Sequence, residues 1–325
     1  MKRKTFLIVL VLISLAFLFL FPFAGTVSIP FSSLFEDSVK SKIFWDIRVP
    51  RVLGAFITGS ILALAGMAFQ SLFRNDLATP YTLGISSGSA LGAVIAIKFI
   101  TLSGTFHYSV IQVFSFTTAL LTVIFLHLLT FKKRAESTYL LLLAGIAVNF
   151  TCTGAILFIQ YIASGSESSR MVRWMMGSID FIGYGSVFKL IPPLFFLLAL
   201  LFYFHRDLDL ISIDTEIAVS RGVNLAITEK AVFFVVSLAV AVTVANTGPI
   251  GFVGMIAPHI ARKLIGREHR YLIPSSMMSG GILLLFSDTV ARTIIPPSEI
   301  PVGVITAMSG GPFFIFILMR KGKNG

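Results

Sequence analysis

Three polar side chains stand inside otherwise apolar stretches: Gln70, Asn149 and Asp288. Any chemistry at membrane depth would have to be built from these. Asp288, flanked by Ser287 and Thr289 near the end of an apolar segment, suits an interfacial position. A proton-driven carrier relays its proton through ionisable groups in mid-helix, and carboxylates are nearly absent there. The chain has no G-x-x-x-x-G-K-[ST] and no H-E-x-x-H, and no G-x-S-x-G. Glycines at 84–88 and 248–254 could cradle a phosphate, but their neighbours are apolar and no strand precedes them, so they read as close helix contacts. The single cysteine, Cys152, lies in an apolar segment, and the five histidines are scattered. The chain therefore offers no cysteine-based metal site and no close histidine pair. It is expected to bind no metal and to catalyse no reaction.

The elements that hold these residues are spanning helices. Hydrophobic residues make up 56% of 325 positions and charged residues 13%, about half the charge of an ordinary soluble domain. Mean hydropathy is +0.91. The net charge of +11 is that of cytoplasmic loops rich in Lys and Arg and does not require a nucleic-acid partner.

Apolar runs predict helices at 6–24, 51–73, 83–100, 108–131, 138–162, 187–204, 226–245, 271–291 and 301–320, with a short one in the Gly/Pro-rich segment 246–270. The first is longer than a signal h-region and no A-x-A site follows it, so it reads as a span. The expected fold is an all-α integral membrane protein of about ten transmembrane helices, a single domain over 1–325. Both termini then face the cytoplasm, which places most of the 26 basic residues inside. Lys132-Lys133-Arg134 and the tail KGKNG belong to that set. The longest polar stretch, 205–225, is an inner loop, and nowhere is there room for a nucleotide-binding domain.

The stretch 48–92, RVPRVLGAFITGSILALAGMAFQSLFRNDLATPYTLGISSGSALG, organises the rest. Arg48 and Arg51 open it. An apolar run carrying Gly59, Ala63 and Gly66 follows, then the polar break RNDLATP and a helix with Gly84, Gly88 and Gly92. Small residues on one face let helix backbones approach closely.

This stretch resembles the second and third helices of the FecCD-type permeases, the membrane subunits of ATP-driven importers for ferric siderophores, haem and vitamin B12. LLLAGIAVNF at 141–150, VRWMMGSI at 172–179, GPIGFVGMIAPHIAR at 248–262 and the run from SDTVAR to EIPVGVITAMSGGPFF at 287–314 are similar to later parts of the family, in order. One departure is Asn75-Asp76-Leu77-Ala78-Thr79-Pro80, where the family commonly reads N-P-L-A-D-P. The resemblance implies a type II ABC importer permease in a bacterial or archaeal plasma membrane. Its implied partners are cytoplasmic ABC ATPase subunits, an extracytoplasmic substrate-binding protein, and a second permease subunit, identical or different. ATP and Mg would sit on the ATPase, and this chain would bind no cofactor of its own. Ferric siderophore is the favoured cargo on family frequency, with haem and cobalamin open. An ion- or proton-driven secondary transporter is the alternative.

The resemblance also implies roles for particular residues. Arg48, Arg51 and Arg292, at outer helix ends, would meet acidic residues on the binding protein, since exposed charge of one sign steers an acidic partner. Asp214, Glu216, Ala218 and Gly222 resemble the core of the coupling segment that seats in the ATPase. The translocation path is assigned to the polar break and the small-residue helix start: Gln70, Asn75, Thr79, Ser86, Ser87 and Gly88, with Asn149.

Overall fold

A computed structural model describes residues 3–25, 27–35, 38–100, 107–130, 137–296 and 298–321. Lys132-Lys133-Arg134 and the tail after Lys321 lie outside the described residues. Among the described residues, thirteen helices follow one another besides short 3-10 turns at Phe21–Phe23 and Phe31–Phe35: α1 Arg3–Leu20, α2 Val39–Leu72, α3 Ile85–Ile100, α4 His107–Thr130, α5 Ser137–Tyr161, α6 Gly165–Met175, α7 Gly185–Tyr203, α8 His205–Ile213, α9 Thr215–Ser220, α10 Leu225–Thr247, α11 Val253–Ile265, α12 His269–Thr293 and α13 Val302–Lys321. No strand occurs among the described residues.

Six of these helices, α1, α2, α4, α5, α7 and α10, are long and apolar enough to cross a membrane. Several such helices in one chain make this a multi-pass membrane protein. The expected ten spans are not all of that kind. α3 and the apolar part of α13 are shorter apolar helices. α12 has 25 residues but carries Asp288, Arg292, His269 and Arg270 within it. α11, with 13 residues, is about 20 Å long against a hydrocarbon core of about 30 Å, so it cannot cross alone.

α2 is the central post. Its apolar window is 83% buried, whereas that of α1 is 11% buried. It packs against α12, α11, α7 and α10. The approach is set by glycine. A Cβ on Gly59 would lie 2.2 Å from the Gly280 carbonyl oxygen, and one on Gly66 would lie 1.8 Å from that of Gly254. α3 packs on α4 and α5, with Gly88 and Gly92 facing Thr122 and Thr118 of α4. Helix starts and stops follow local chemistry. Pro50 occupies the beginning of the α-helical part of α2, which is preceded by a π-type turn over Ile43–Arg48. α2 ends where Arg74 takes φ +48°, and α3 opens after Gly84 at φ +81°, a conformation that glycine adopts without strain.

The polar segment after α5, outside the helices expected from the apolar runs, forms α6. Ser164 and Glu167 make a capping box there, which satisfies two of the free N–H groups at the helix start. Glu167 also accepts from Lys98 Nζ at 2.9 Å. The Ser164 backbone N–H first, and Lys98 next, hold its carboxyl down to about 2 from an ordinary 4.5. A depressed folded-state value contributes stability above the unfolded value, lost as pH falls from 4.5 towards 2. The melting temperature in detergent is therefore expected to drop across that window, with Glu167→Gln flattening this part of the profile.

Candidate functional site

Two polar regions lie at opposite ends of α2. At the Arg48 end, Arg51 grips the Asp288 carboxylate. Its Nε donates to Oδ1 at 3.1 Å and to Oδ2 at 3.2 Å, and its Nη2 donates to Oδ1 at 3.0 Å. Arg51 Nη1 also donates to Glu299 Oε2 at 2.6 Å. Arg292 Nε stands 3.8 Å from Asp288 Oδ2, while its Nη2 donates to the Phe21 carbonyl at 2.9 Å. Arg48 donates from Nη1 to the carbonyls of Pro22 at 3.2 Å and Phe23 at 3.3 Å, and from Nη2 to Val27 at 2.5 Å.

The three arginines expected at outer helix ends lie at the same end of the bundle, but their side chains turn inward. Arg48 and Arg292 are buried rather than presented to a partner, and the Arg51 side chain is only 11% exposed. The physical cause is Asp288, whose side chain is 0% exposed. A buried carboxylate must be paired and hydrogen-bonded, so it draws Arg51 and Arg292 inward. The carbonyls freed as the chain turns after α1 draw Arg48.

At the other end, the polar break after α2 borders a cavity of about 710 Å³ lined by Gln70, Asn75, Asp76, His259, Arg262 and His269, among others. Gln70 Nε2 donates to the Gly254 carbonyl at 3.1 Å, and its Oε1 accepts from Arg262. Arg262 Nη1 donates to Asp76 Oδ1 at 3.0 Å. Asn75 Oδ1 accepts the Leu77 N–H at 2.9 Å, which closes the turn. Buried Ser71 and His269 meet through Oγ and Nε2 at 2.7 Å, and His269 Nδ1 lies 2.6 Å from Asp209 Oδ1 on α8.

Of the path candidates, Gln70 and Asn75 line this cavity, and the remainder do not. Ser87 Oγ donates to Asn149 Oδ1 at 2.5 Å, and Asn149 Nδ2 donates to the carbonyls of Tyr81 and Thr82 at 3.3 Å. These contacts tie α5 to the start of α3. Thr79 is buried and bonded to Thr82. Ser86 is buried in α3, and Gly88 packs on α4, where an added Cβ would lie 2.1 Å from Thr122 Oγ1. Gly88 thus permits the close approach of α3 and α4.

The segment 205–222 is helical, not a loop. Asp214, extended between α8 and α9, caps α9 by accepting from the N–H groups of Glu216 at 2.7 Å and Ile217 at 3.3 Å. Those N–H groups hold its carboxyl below the usual carboxylate range, with Arg74 adding to the effect. Arg74 Nη1 donates to Asp214 Oδ2 at 3.2 Å. Ala218 is buried with Ile211 and Val223, and Gly222 turns the chain at φ +88°. Glu216 is exposed. Sequence reasoning missed Ser71, Asp209, Arg262 and His269. No motif links them, because their partners lie 60 to 198 residues away.

No group of three or more metal-ligating side chains occurs among the described residues. The chain is similar over 98% of its length to a chain of a solved structure described as an inward-facing conformation of a putative metal-chelate type ABC transporter. The TM-score is 0.87, identity is 29%, and 99% of that chain is covered. The hemin transport system permease protein HmuU of Yersinia pestis is 36% identical over 307 residues, 91% of this chain and 90% of the relative. The molybdate import system permease protein MolB of Haemophilus influenzae is 34% identical over 293 residues, 89% of this chain and 85% of the relative. The Fe(3+)-citrate import system permease protein YfmE of Bacillus subtilis is 34% identical over 285 residues, 87% of this chain and 83% of the relative. The FecCD transport family model matches residues 6–320, and the chain belongs to that family.

Proposed function

We infer that the chain is the membrane-spanning subunit of a binding-protein-dependent ABC importer that moves an iron chelate, a ferric siderophore, inward. ATP is hydrolysed on separate cytoplasmic subunits, which also hold the Mg, and this chain catalyses nothing. Ten segments thread the bilayer in this reading, α11 as a partial one, with both termini cytoplasmic and a second permease copy completing the channel.

The observation that carries the reading is α9 and its surroundings. Ile213, Ile217 and Val219 are 68%, 45% and 55% exposed, on short helices between α7 and α10 that are anchored where α8 packs on α2 and α12. Apolar side chains exposed together beside Glu216 on a capped, glycine-terminated helix fit a cleft in a partner protein. That partner is the ATPase. At the opposite end, a binding protein would meet the surface around Arg51 and the half-exposed Glu299, since Arg48 and Arg292 are buried.

The cargo reading is tested with permease, ATPase and binding protein reconstituted in liposomes and supplied with a ⁵⁵Fe-labelled ferric siderophore. Uptake is expected only with ATP inside. Uptake that persists without ATP and collapses with the ion gradient would identify a secondary transporter instead. Haem, cobalamin and molybdate run alongside, and transport of one of them alone would replace the siderophore.

The docking surface has its own check. Ile217→Asp is expected to abolish co-purification of the ATPase while the permease keeps its melting temperature. Cysteines along 213–222 should cross-link to the ATPase, and failure at every position would remove α9 from the interface.

A further inference from the structure

α8 packs on α2, and two polar links from the coupling helices end close together, at Ser71 in the last turn of α2 and at Arg74 just beyond it. Ser71 lies just before the polar break and Arg74 opens it, and the next residues, Asn75, Asp76 and Leu77, border the cavity. We propose that Ser71, His269 and Asp209 form the strut through which movement of α8 and α9 reaches this break. The proposal rests on the reading of α9 as the ATPase-docking helix.

The geometry is that of a rigid link. The Asp209 carboxylate can only accept, so His269 Nδ1–H donates to it, and the backbone N–H of His269 donates to the same oxygen at 2.8 Å. In the neutral ring, Nε2 then accepts from the Ser71 hydroxyl. His269 is 1% exposed, and hydrogen bonds shielded from water hold their geometry more firmly than exposed ones. The imidazole is the first residue of α12 and bridges α8 to the last turns of α2. A parallel contact, Arg74 to Asp214, has both side chains about two-fifths exposed, so water competes for it and it steers less. The break and the α2 turn before it are tied to α11 through Arg262, which holds both Asp76 and Gln70. The break is thus suspended between the coupling helices and α11, and displacement of α8 pulls it against α11.

The connectivity of Ser71, His269 and Asp209 is also that of a hydrolytic triad. Ser71 lies within α2, however, where the neighbouring N–H groups are used by the helix and none is left to form an oxyanion hole. The three are positioning residues.

The test uses the assembled transporter with its ATPase and binding protein. Leu77→Cys provides a reporter at an exposed position, and the native Cys152 is buried. The rate of labelling by a polar maleimide is compared with and without ATP and Mg. In the otherwise unaltered chain, ATP should change this rate by at least about five-fold, the low end of ordinary coupling energies, and the change should fall below about two-fold in Ser71→Ala and in His269→Asn. Asn at 269 keeps a donor near Asp209 but cannot reach Ser71. Both variants therefore break the same link, and the double variant should be no worse than either single one. ATP hydrolysis should continue in both.

A full labelling response in both variants overturns the strut, as does an unaltered chain whose reporter ignores ATP. Variants that shed the ATPase also overturn it, because the residues would then seat the partner rather than transmit its movement. Cross-linking from 213–222 on the same samples separates the two readings. Capture lost in the unaltered chain removes the docking helix, whereas capture kept with an undiminished reporter response removes only the strut.

Discussion

Asp288→Ala is expected to be among the most damaging single substitutions in this chain. The carboxylate is fully buried and takes three hydrogen-bond contacts from Arg51. Its removal leaves two guanidiniums, those of Arg51 and Arg292, facing one another in a poorly solvated space, with only the half-exposed Glu299 as a remaining carboxylate partner. Breaking a buried pair from one side costs about 3–5 kcal/mol, because the other charge stays behind. Whole-domain stability is commonly about 5–15 kcal/mol, so the expected outcome is a steep fall in folded yield. A melting curve in detergent and the fraction surviving size exclusion measure it. Removing the partner charge as well, in Asp288→Ala with Arg51→Met, should recover much of the loss. If the double variant is as poor as the single one, the pair is not what holds α2 to α12.

Gly66→Ala should be nearly as severe, although it adds only one methyl group. The new Cβ would lie 1.8 Å from the Gly254 carbonyl oxygen and 2.7 Å from the Gly254 Cα. Both are backbone atoms, so no side-chain rotation relieves the overlap. α2 and α11 must part by roughly 1.5 Å, which places the cost at or above the ~3 kcal/mol upper end of ordinary overpacking. It would also disturb Gln70, whose amide donates to that same carbonyl. Gly154 provides the control. Nothing stands within 4 Å of a Cβ built there, and it lies inside α5, so Gly154→Ala should be neutral or stabilising by up to ~1 kcal/mol. Melting temperatures of the two variants side by side give the answer. Equal behaviour would show that α2 and α11 are not in close contact.

The spanning helices were legible because lipid leaves a backbone no partner but itself. The boundaries expected for α4, α5 and α7 fall within about two residues of those found. The small-residue face of α2 was equally plain, as Gly59 and Gly66 do meet other helix backbones. What could not be read is where charge goes when two distant segments approach. Arg51 and Asp288 are 237 residues apart, and nothing local to either says that one neutralises the other. Arg48 and Arg51 were expected to face outward because the resemblance implies docking there, and exposed charge of one sign steers an acidic partner. α6 was passed over for a different reason. Its residues are polar and its one strong helix signal, the Ser164–Glu167 capping box, has no apolar run behind it. His269 carried no motif at all.

The fastening of α1 has a consequence for how the chain is made. This helix is little buried along its length and is tied at its two ends, where Arg3 pairs with Glu268 and the Phe21 carbonyl accepts from Arg292. It leaves the ribosome early, but its clasps belong to α12 and the turn before it, some 265 to 271 residues later. At roughly 5–20 residues per second, α1 waits on the order of ten to fifty seconds for them. During that interval it must stand in the membrane on its own apolarity, ahead of the bundle it will eventually close. A translation arrest placed before residue 268 should therefore leave α1 inserted but free to be extracted from the growing protein, and one placed after residue 292 should not.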